Sequence, residues 1–89
     1  PFFLLLTFNA VHTPLDPSPR RAGEFAGIQD EKRRAYASML ASLDDAVGSV
    51  QKKLAEAGLA QNTLVAFFSD NGGPTQANGS NNDPLRGNK

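Results

Sequence analysis

Residues 2 to 8 are apolar almost without interruption, and residues 63 to 69 repeat the habit with Leu64, Val65, Phe67 and Phe68. Neither run alternates. A short continuous apolar run bounded by turn residues reads as a strand buried on both faces, the arrangement of parallel sheets covered by helices. Between the two runs the period changes. From about Asp30 to Ala57, apolar residues fall at Tyr36, Leu40, Leu43, Val47, Val50 and Leu54, at spacings of four, three, four, three and four. That is the stripe of a helix with one buried face. Asp30 and Glu31 suit its N-terminal end, Lys52 and Lys53 its later turns, and Gly58 the residue just past its end. The expected fold class is therefore α/β: a β-α-β unit of strand 2–8, helix 30–57 and strand 63–69. In one sheet the strands would be parallel and the crossover right-handed.

The connections are of a different kind. Pro14, Pro17 and Pro19 fall within six residues, which makes a stiff, irregular link, and a polar stretch with Gly23 and Gly27 continues it to Ile28. Residues 71 to 89 hold five Asn, four Gly and two Pro in 19 residues and show no apolar period. A loop of that length in a compact unit is usually a functional one. The helix stripe has one irregularity. Asp44 falls beside the apolar face and reads as a boundary carboxylate for a backbone group or an arginine, while Asp45 points away. The basic cluster Lys32-Arg33-Arg34 reads as a solvated helix face, and Phe67 and Phe68 as core.

Composition narrows the field. Nine Lys plus Arg balance nine Asp plus Glu, so no net charge favours nucleic acid or an anionic membrane as partner. The absence of cysteine excludes disulfides, thiolate metal sites and a cysteine nucleophile within these 89 residues. The N-terminal apolar run is too short to span a bilayer, so no membrane insertion is expected, and it lacks the flanks of a signal peptide. The chain opens without an initiator Met or basic leader and closes within a loop-like stretch, so it reads as an internal segment of a larger protein.

Parallel strands would bring His12, which follows the first run, and Asp70-Asn71, which follow the second, to one edge of the sheet, where open α/β folds bind ligands. Asp70 offers a carboxylate and Asn71 an amide oxygen, both hard donors suited to calcium or magnesium. Gly72 and Gly73 can take positive φ and let the backbone turn close to a ligand. The same Asp-Asn-Gly-Gly is also ordinary turn chemistry, and both readings stand. His12 is either a surface histidine in a proline-rich loop or one that bonds an anion and moves protons. Lys89 and Arg86 are either solvated loop charges or contacts for a sulfate or phosphate.

Four segments resemble the sulfatases of the alkaline phosphatase superfamily, in order and spacing. They are Pro1 to Leu4 leading to Asn9-Ala10-Val11-His12-Thr13-Pro14, then Tyr36-Ala37 through Leu43-Asp44-Asp45-Ala46-Val47-Gly48, then Asn62 to Val65 into Ser69-Asp70-Asn71-Gly72-Gly73, and last Pro84-Leu85-Arg86-Gly87-Asn88-Lys89. The resemblance implies that residues 1–89 are part of a sulfatase catalytic domain, with 70–89 as an active-site loop. It implies that Asp70 and Asn71 are metal ligands to calcium, in preference to magnesium. It also implies that His12 contacts the substrate sulfate and gives a proton to the leaving alcohol, and that Lys89 binds the sulfate. His12 and Lys89 are thus the expected catalytic and substrate-binding residues. Asn88 stands where many members have glycine and Val11 where many have proline, and neither change removes a functional group.

The family's nucleophile is a formylglycine made from Cys or Ser in a C/S-x-P-S-R motif. Neither that motif nor the acidic pair that completes the calcium site occurs here. The resemblance therefore implies a parent enzyme that hydrolyses sulfate esters, with this segment inactive alone. Its substrate would be a sulfated small molecule or polysaccharide, and its location periplasmic or secreted by family habit. A phosphate-ester or phosphonate hydrolase of the same superfamily, or a non-catalytic binding fragment, are the competing expectations.

Overall fold

The computed structural model describes the backbone of residues 1–89 and every side chain except that of Ala22. Its dominant element is one long helix. Helix α1 is a single turn, Pro19–Ala22; helix α2 spans Glu31–Glu56; and helix α3 is a turn at Thr75–Asn78. Single 3-10 turns lie at Gly23–Phe25 and Ala60–Asn62.

Helix α2 follows the sequence pattern to within a residue at either end. The Asp30 carboxylate caps its start by accepting from the Arg33 backbone N–H at 2.6 Å, which satisfies one of the free donors of the first turn. Its end is a Schellman motif. Gly58 takes φ 68°, its N–H donates to the Ala55 carbonyl at 3.0 Å, and the Leu59 N–H donates to the Leu54 carbonyl at 2.9 Å. Only the left-handed conformation lets both bonds close, and glycine reaches it without a Cβ penalty.

The β-α-β unit does not form. No strand occurs among the described residues, and the expected parallel strands 2–8 and 63–69 are extended segments without a ladder. No backbone-to-backbone hydrogen bond joins them. The reason is physical. An apolar run sets which side chains want cover, but a strand exists only when a neighbour accepts and donates along its length. The side chains are uncovered accordingly: Phe3 is 90% exposed and Leu64 95%, and Phe67 and Phe68 are exposed too rather than core. The architecture is one long helix with loops laid along it.

Helix α2 carries two distinct faces. At about 100° per residue, Ser38, Ser42, Asp45 and Ser49 lie opposite the apolar stripe. This polar face meets α1, and a cavity there is lined by Ser18, Arg20, Arg21, Ser42, Asp45, Ala46 and Ser49. The Arg21 guanidinium forks onto Asp45, with Nε donating to Oδ2 at 3.0 Å and Nη2 donating to Oδ1, and its Nη1 donates to Glu24 at 2.6 Å. Asp45, and not Asp44, is therefore the carboxylate that finds an arginine; Asp44 is exposed. The stripe itself stays partly open, with Leu40 45% exposed.

The start of α2 holds the polar tail. Lys32 Nζ donates to the Gln76 carbonyl at 3.3 Å, Arg33 Nη1 to the Gly79 carbonyl at 2.8 Å, and Arg34 Nη1 to the Ile28 carbonyl at 2.8 Å. The basic cluster thus pins two loops in addition to facing solvent. Among the described residues the buried ones are polar: Ser38 at 1% exposure, Asn78 at 1% and Ser80 at 8%, and no apolar side chain joins them.

Candidate functional site

His12 sits one residue past a tight turn in which its own N–H donates to the Asn9 carbonyl at 2.8 Å. Its ring bridges two partners that fix its tautomer. Nδ1 lies 2.6 Å from the Thr13 carbonyl oxygen, which can only accept, so Nδ1 carries the proton. Nε2 is then a lone pair, and Lys89 Nζ donates to it at 3.0 Å. The contact spans 77 positions of sequence. One of the three ammonium donors of Lys89 is used in this way, and two remain for an anion. Beside the ring lies a cavity of about 350 Å³ lined by Asn9, Ala10, His12, Thr13, Pro14, Asp16 and Met39.

Asp70 and Asn71 stand on the loop that follows the second apolar run. The Ser69 hydroxyl donates to the Asn71 carbonyl at 2.6 Å and braces this turn. The Asn71 amide Nδ2 donates to the Gly72 carbonyl at 2.9 Å, which leaves Oδ1 open. Asp70 is exposed, and among the described residues its carboxylate has no hydrogen-bond or ion-pair partner. Two free hard oxygens on adjacent residues fit a calcium or magnesium ion as part of its shell. No group of three or more His, Asp or Glu converges among the described residues, and since calcium takes about six to eight oxygens, Asp70 and Asn71 alone do not complete such a shell.

The glycines after Asn71 act through space and not through φ. The positive-φ glycines are Gly58, Gly79 and Gly87, and Gly72 and Gly73 are not among them. A Cβ on Gly73 would lie 2.3 Å from Ser80 Oγ, and one on Gly72 would lie 3.2 Å from Asn82 Nδ2 and 3.5 Å from Asn88 Cα. The turn that carries Asp70 and Asn71 is therefore packed against the loop that ends at Lys89. Asn82 ties the two together. Its Oδ1 accepts from the Gly73 N–H at 3.0 Å, and its Nδ2 donates to the Gly73 carbonyl at 2.9 Å and the Gly87 carbonyl at 3.0 Å.

The structure thus joins His12 to Lys89 directly and joins the Asp70-Asn71 turn to the Lys89 loop through the Asn82 side chain. It brings neither the Asp70 nor the Asn71 side chain into bonding contact with His12 or Lys89. Arg86 is exposed. Sequence reasoning passed over Asn82, because an asparagine in an Asn-rich loop looks like turn chemistry; Asn81 is that, its Oδ1 accepting from the Asp83 N–H at 2.9 Å.

The Lys89 ammonium paired with an imidazole has donors that an oxyanion could use, and Asp70 and Asn71 have open oxygens of the kind a hard cation takes. The sulfatase family model matches residues 1–89, and the chain belongs to the sulfatase family. It is 42% identical over 89 residues to arylsulfatase J of Mus musculus, covering all of this chain and 15% of that protein. It is 40% identical over 83 residues to the steryl-sulfatase of Rattus norvegicus, covering 93% of this chain and 13% of the relative. It is also 35% identical over 101 residues to a sulfatase of Formosa agariphila, covering 97% and 17%. The chain therefore spans about a sixth or less of the length of these relatives. No helix among the described residues is long and apolar enough to cross a membrane.

Proposed function

We propose that this chain is part of a sulfate-ester hydrolase and forms the sulfate-gripping side of its active site. The observation that carries the proposal is the 3.0 Å contact between Lys89 Nζ and His12 Nε2. Two residues distant in sequence meet there with hydrogen-bonding capacity to spare. Lys89 uses its two free donors on the sulfuryl oxygens and offsets the charge that grows on them as the ester bond breaks. His12 is held by Thr13 at Nδ1 and by Lys89 at Nε2, so its orientation is set before substrate arrives. His12 acts as the acid in its imidazolium form, with Nε2–H turned from Lys89 to the departing alcohol oxygen, which takes that proton as the ester bond breaks and leaves the imidazole neutral. The 350 Å³ cavity on the side of the ring lined by Asp16 and Met39 takes the alcohol part of the substrate.

Asp70 and Asn71 would hold calcium, which, when bound, polarises a sulfuryl oxygen as a Lewis acid. The nucleophile is a formylglycine elsewhere in the whole protein, and it supplies covalent catalysis. The substrate class is a sulfated small molecule or polysaccharide, and the working compartment is the periplasm or the exterior.

The test uses the full-length protein with its formylglycine installed, assayed on an aryl sulfate with an aryl phosphate as control. Lys89→Ala should lower kcat/KM by about 10²–10³-fold, the cost of one oxyanion donor. His12→Ala should hurt esters of poor leaving groups more than activated aryl sulfates. Phosphate hydrolysis without sulfate hydrolysis, or an unchanged Lys89→Ala enzyme, would overturn the proposal.

A further inference from the structure

We propose that Asn82 is a positioning residue that sets the spacing between the Asp70-Asn71 turn and Lys89, so that a cation held at that turn and the Lys89 ammonium meet one oxyanion together. The inference rests on the sulfate-gripping role proposed above and names the residue that assembles it. Asn82 is half-buried and uses three of its four hydrogen-bonding positions on backbone from two separate segments. With Gly73 it makes the paired donor and acceptor bonds that a neighbouring strand would make. Its second amide hydrogen reaches the Gly87 carbonyl, two residues before Lys89.

The partners also fix which end of the amide points where. An N–H must meet Oδ1, and two carbonyls must meet Nδ2, so no flipped arrangement satisfies the site. The surroundings are built to the same measure. Gly72 leaves room for the amide, since a Cβ there would approach Nδ2 to 3.2 Å, and it brings residue 72 against Asn88 Cα. Gly87 supplies its carbonyl from a left-handed φ of 88°, which glycine adopts freely. Through these contacts the position of Lys89, and with it the Lys89–His12 contact, is referred to the turn that carries Asp70 and Asn71. Remove the amide, and the two halves of the site lose their common reference while each keeps its own functional groups. No other side chain among the described residues bonds both segments.

The experiment compares full-length wild type, Asn82→Ala and Asn82→Asp. Asp has the shape of Asn and still accepts from the Gly73 N–H, but it turns an acceptor oxygen toward two carbonyls. Inorganic sulfate is titrated by calorimetry with and without calcium, and hydrogen exchange is followed at the Gly73 amide. Both variants should weaken sulfate binding about tenfold or more and should erase any tightening of sulfate by calcium. In a competent enzyme KM for an aryl sulfate rises with the sulfate dissociation constant. Gly73 exchange should speed up in Asn82→Ala. A merely structural asparagine would lower the melting temperature of both variants and leave sulfate affinity and its calcium dependence in place, which overturns the proposal. Unchanged Gly73 exchange overturns the clamp itself, whatever the protein binds. If wild type binds no sulfate while Gly73 exchange still responds to Asn82, the oxyanion role fails for the site as a whole and the positioning role fails with it.

Discussion

Gly73 sits where a methyl group has no room: its Cβ would fall 2.3 Å from Ser80 Oγ and 2.8 Å from Ser80 Cβ, and Ser80 is itself buried. Gly72 is less confined, facing the Asn82 amide at 3.2 Å, a side chain with some freedom to give. The two adjacent glycines should therefore respond differently to the same change. Gly73→Ala has to move Ser80 or the turn, an overpacking cost of about 1–3 kcal/mol, and it should displace Asp70 and Asn71 with the turn. Gly72→Ala should cost less and act mainly by pushing the Asn82 amide off Gly87. Thermal unfolding of the full-length variants, read beside calcium affinity, checks the order; equal effects would contradict it. Site residues were legible in the sequence to different degrees. His12 and the Asp70-Asn71 pair drew notice by following apolar runs, but the sheet edge expected to bring them together does not form, and their side chains do not meet. The need for Gly73 was legible as glycine but not as to cause, because a steric reason depends on Ser80, seven residues on. Asn82 gave no signal, since an amide's role is decided by what its two ends meet.

At the level of elements, the junction of α1 with α2 rests on one fork of hydrogen bonds. The hydrogen bond from Arg21 holds the Asp45 carboxyl below its usual value of 3.8, and the bonds to Asp45 and then Glu24 push the arginine further up. The sign follows from linkage. A carboxylate with a lowered value in the folded state stabilises the fold above about pH 3.8, and that contribution fades as pH falls through the lowered value. Arginine stays charged throughout. In the full-length protein Asp45→Asn should therefore melt below wild type near neutral pH, with the gap closing below pH 3.8. Because the Asp45 side chain is 45% exposed, the gap should also shrink in 1 M salt. A gap that persists in acid would show that the pair is not its source. Helix α2 was readable because its information is local: a stripe, a capping aspartate and a terminal glycine. Helix α1 was not, because four residues that open on Pro19 and follow Pro14 and Pro17 carry no period, and the choice of Asp45 over Asp44 depends on the side from which α1 arrives. The two apolar runs carried the demand for cover but not the identity of a partner, so their extended shape was legible and the sheet inferred from it was wrong.

Taken whole, the 89 residues place their long helix well and their apolar surface badly. The radius of gyration is 15.2 Å, against about 12 Å for a compact domain of this length, and no apolar side chain is buried among the described residues. Apolar burial is the main favourable term of folding, and it has to offset a backbone entropy cost of about 1–2 kcal/mol per ordered residue. A polar interior of Ser38, Asn78 and Ser80 cannot do that. Meanwhile Phe2 to Phe8 and Leu64 to Phe68 form exposed runs with no charged residue, and a net charge of zero removes the repulsion that keeps chains apart. Expressed alone, residues 1–89 should show helical circular dichroism from α2, which at 26 residues is long enough to persist in part without tertiary support. That signal should decline gradually on heating, with no cooperative step, and light scattering should rise with concentration as the two runs pair between copies. Substituting charges at Leu5 and Phe67 should suppress the scattering and leave the helical signal alone, because neither residue lies on α2. A sharp, concentration-independent melt of the 89-residue chain would contradict this account, since it would require an apolar core that these residues do not assemble.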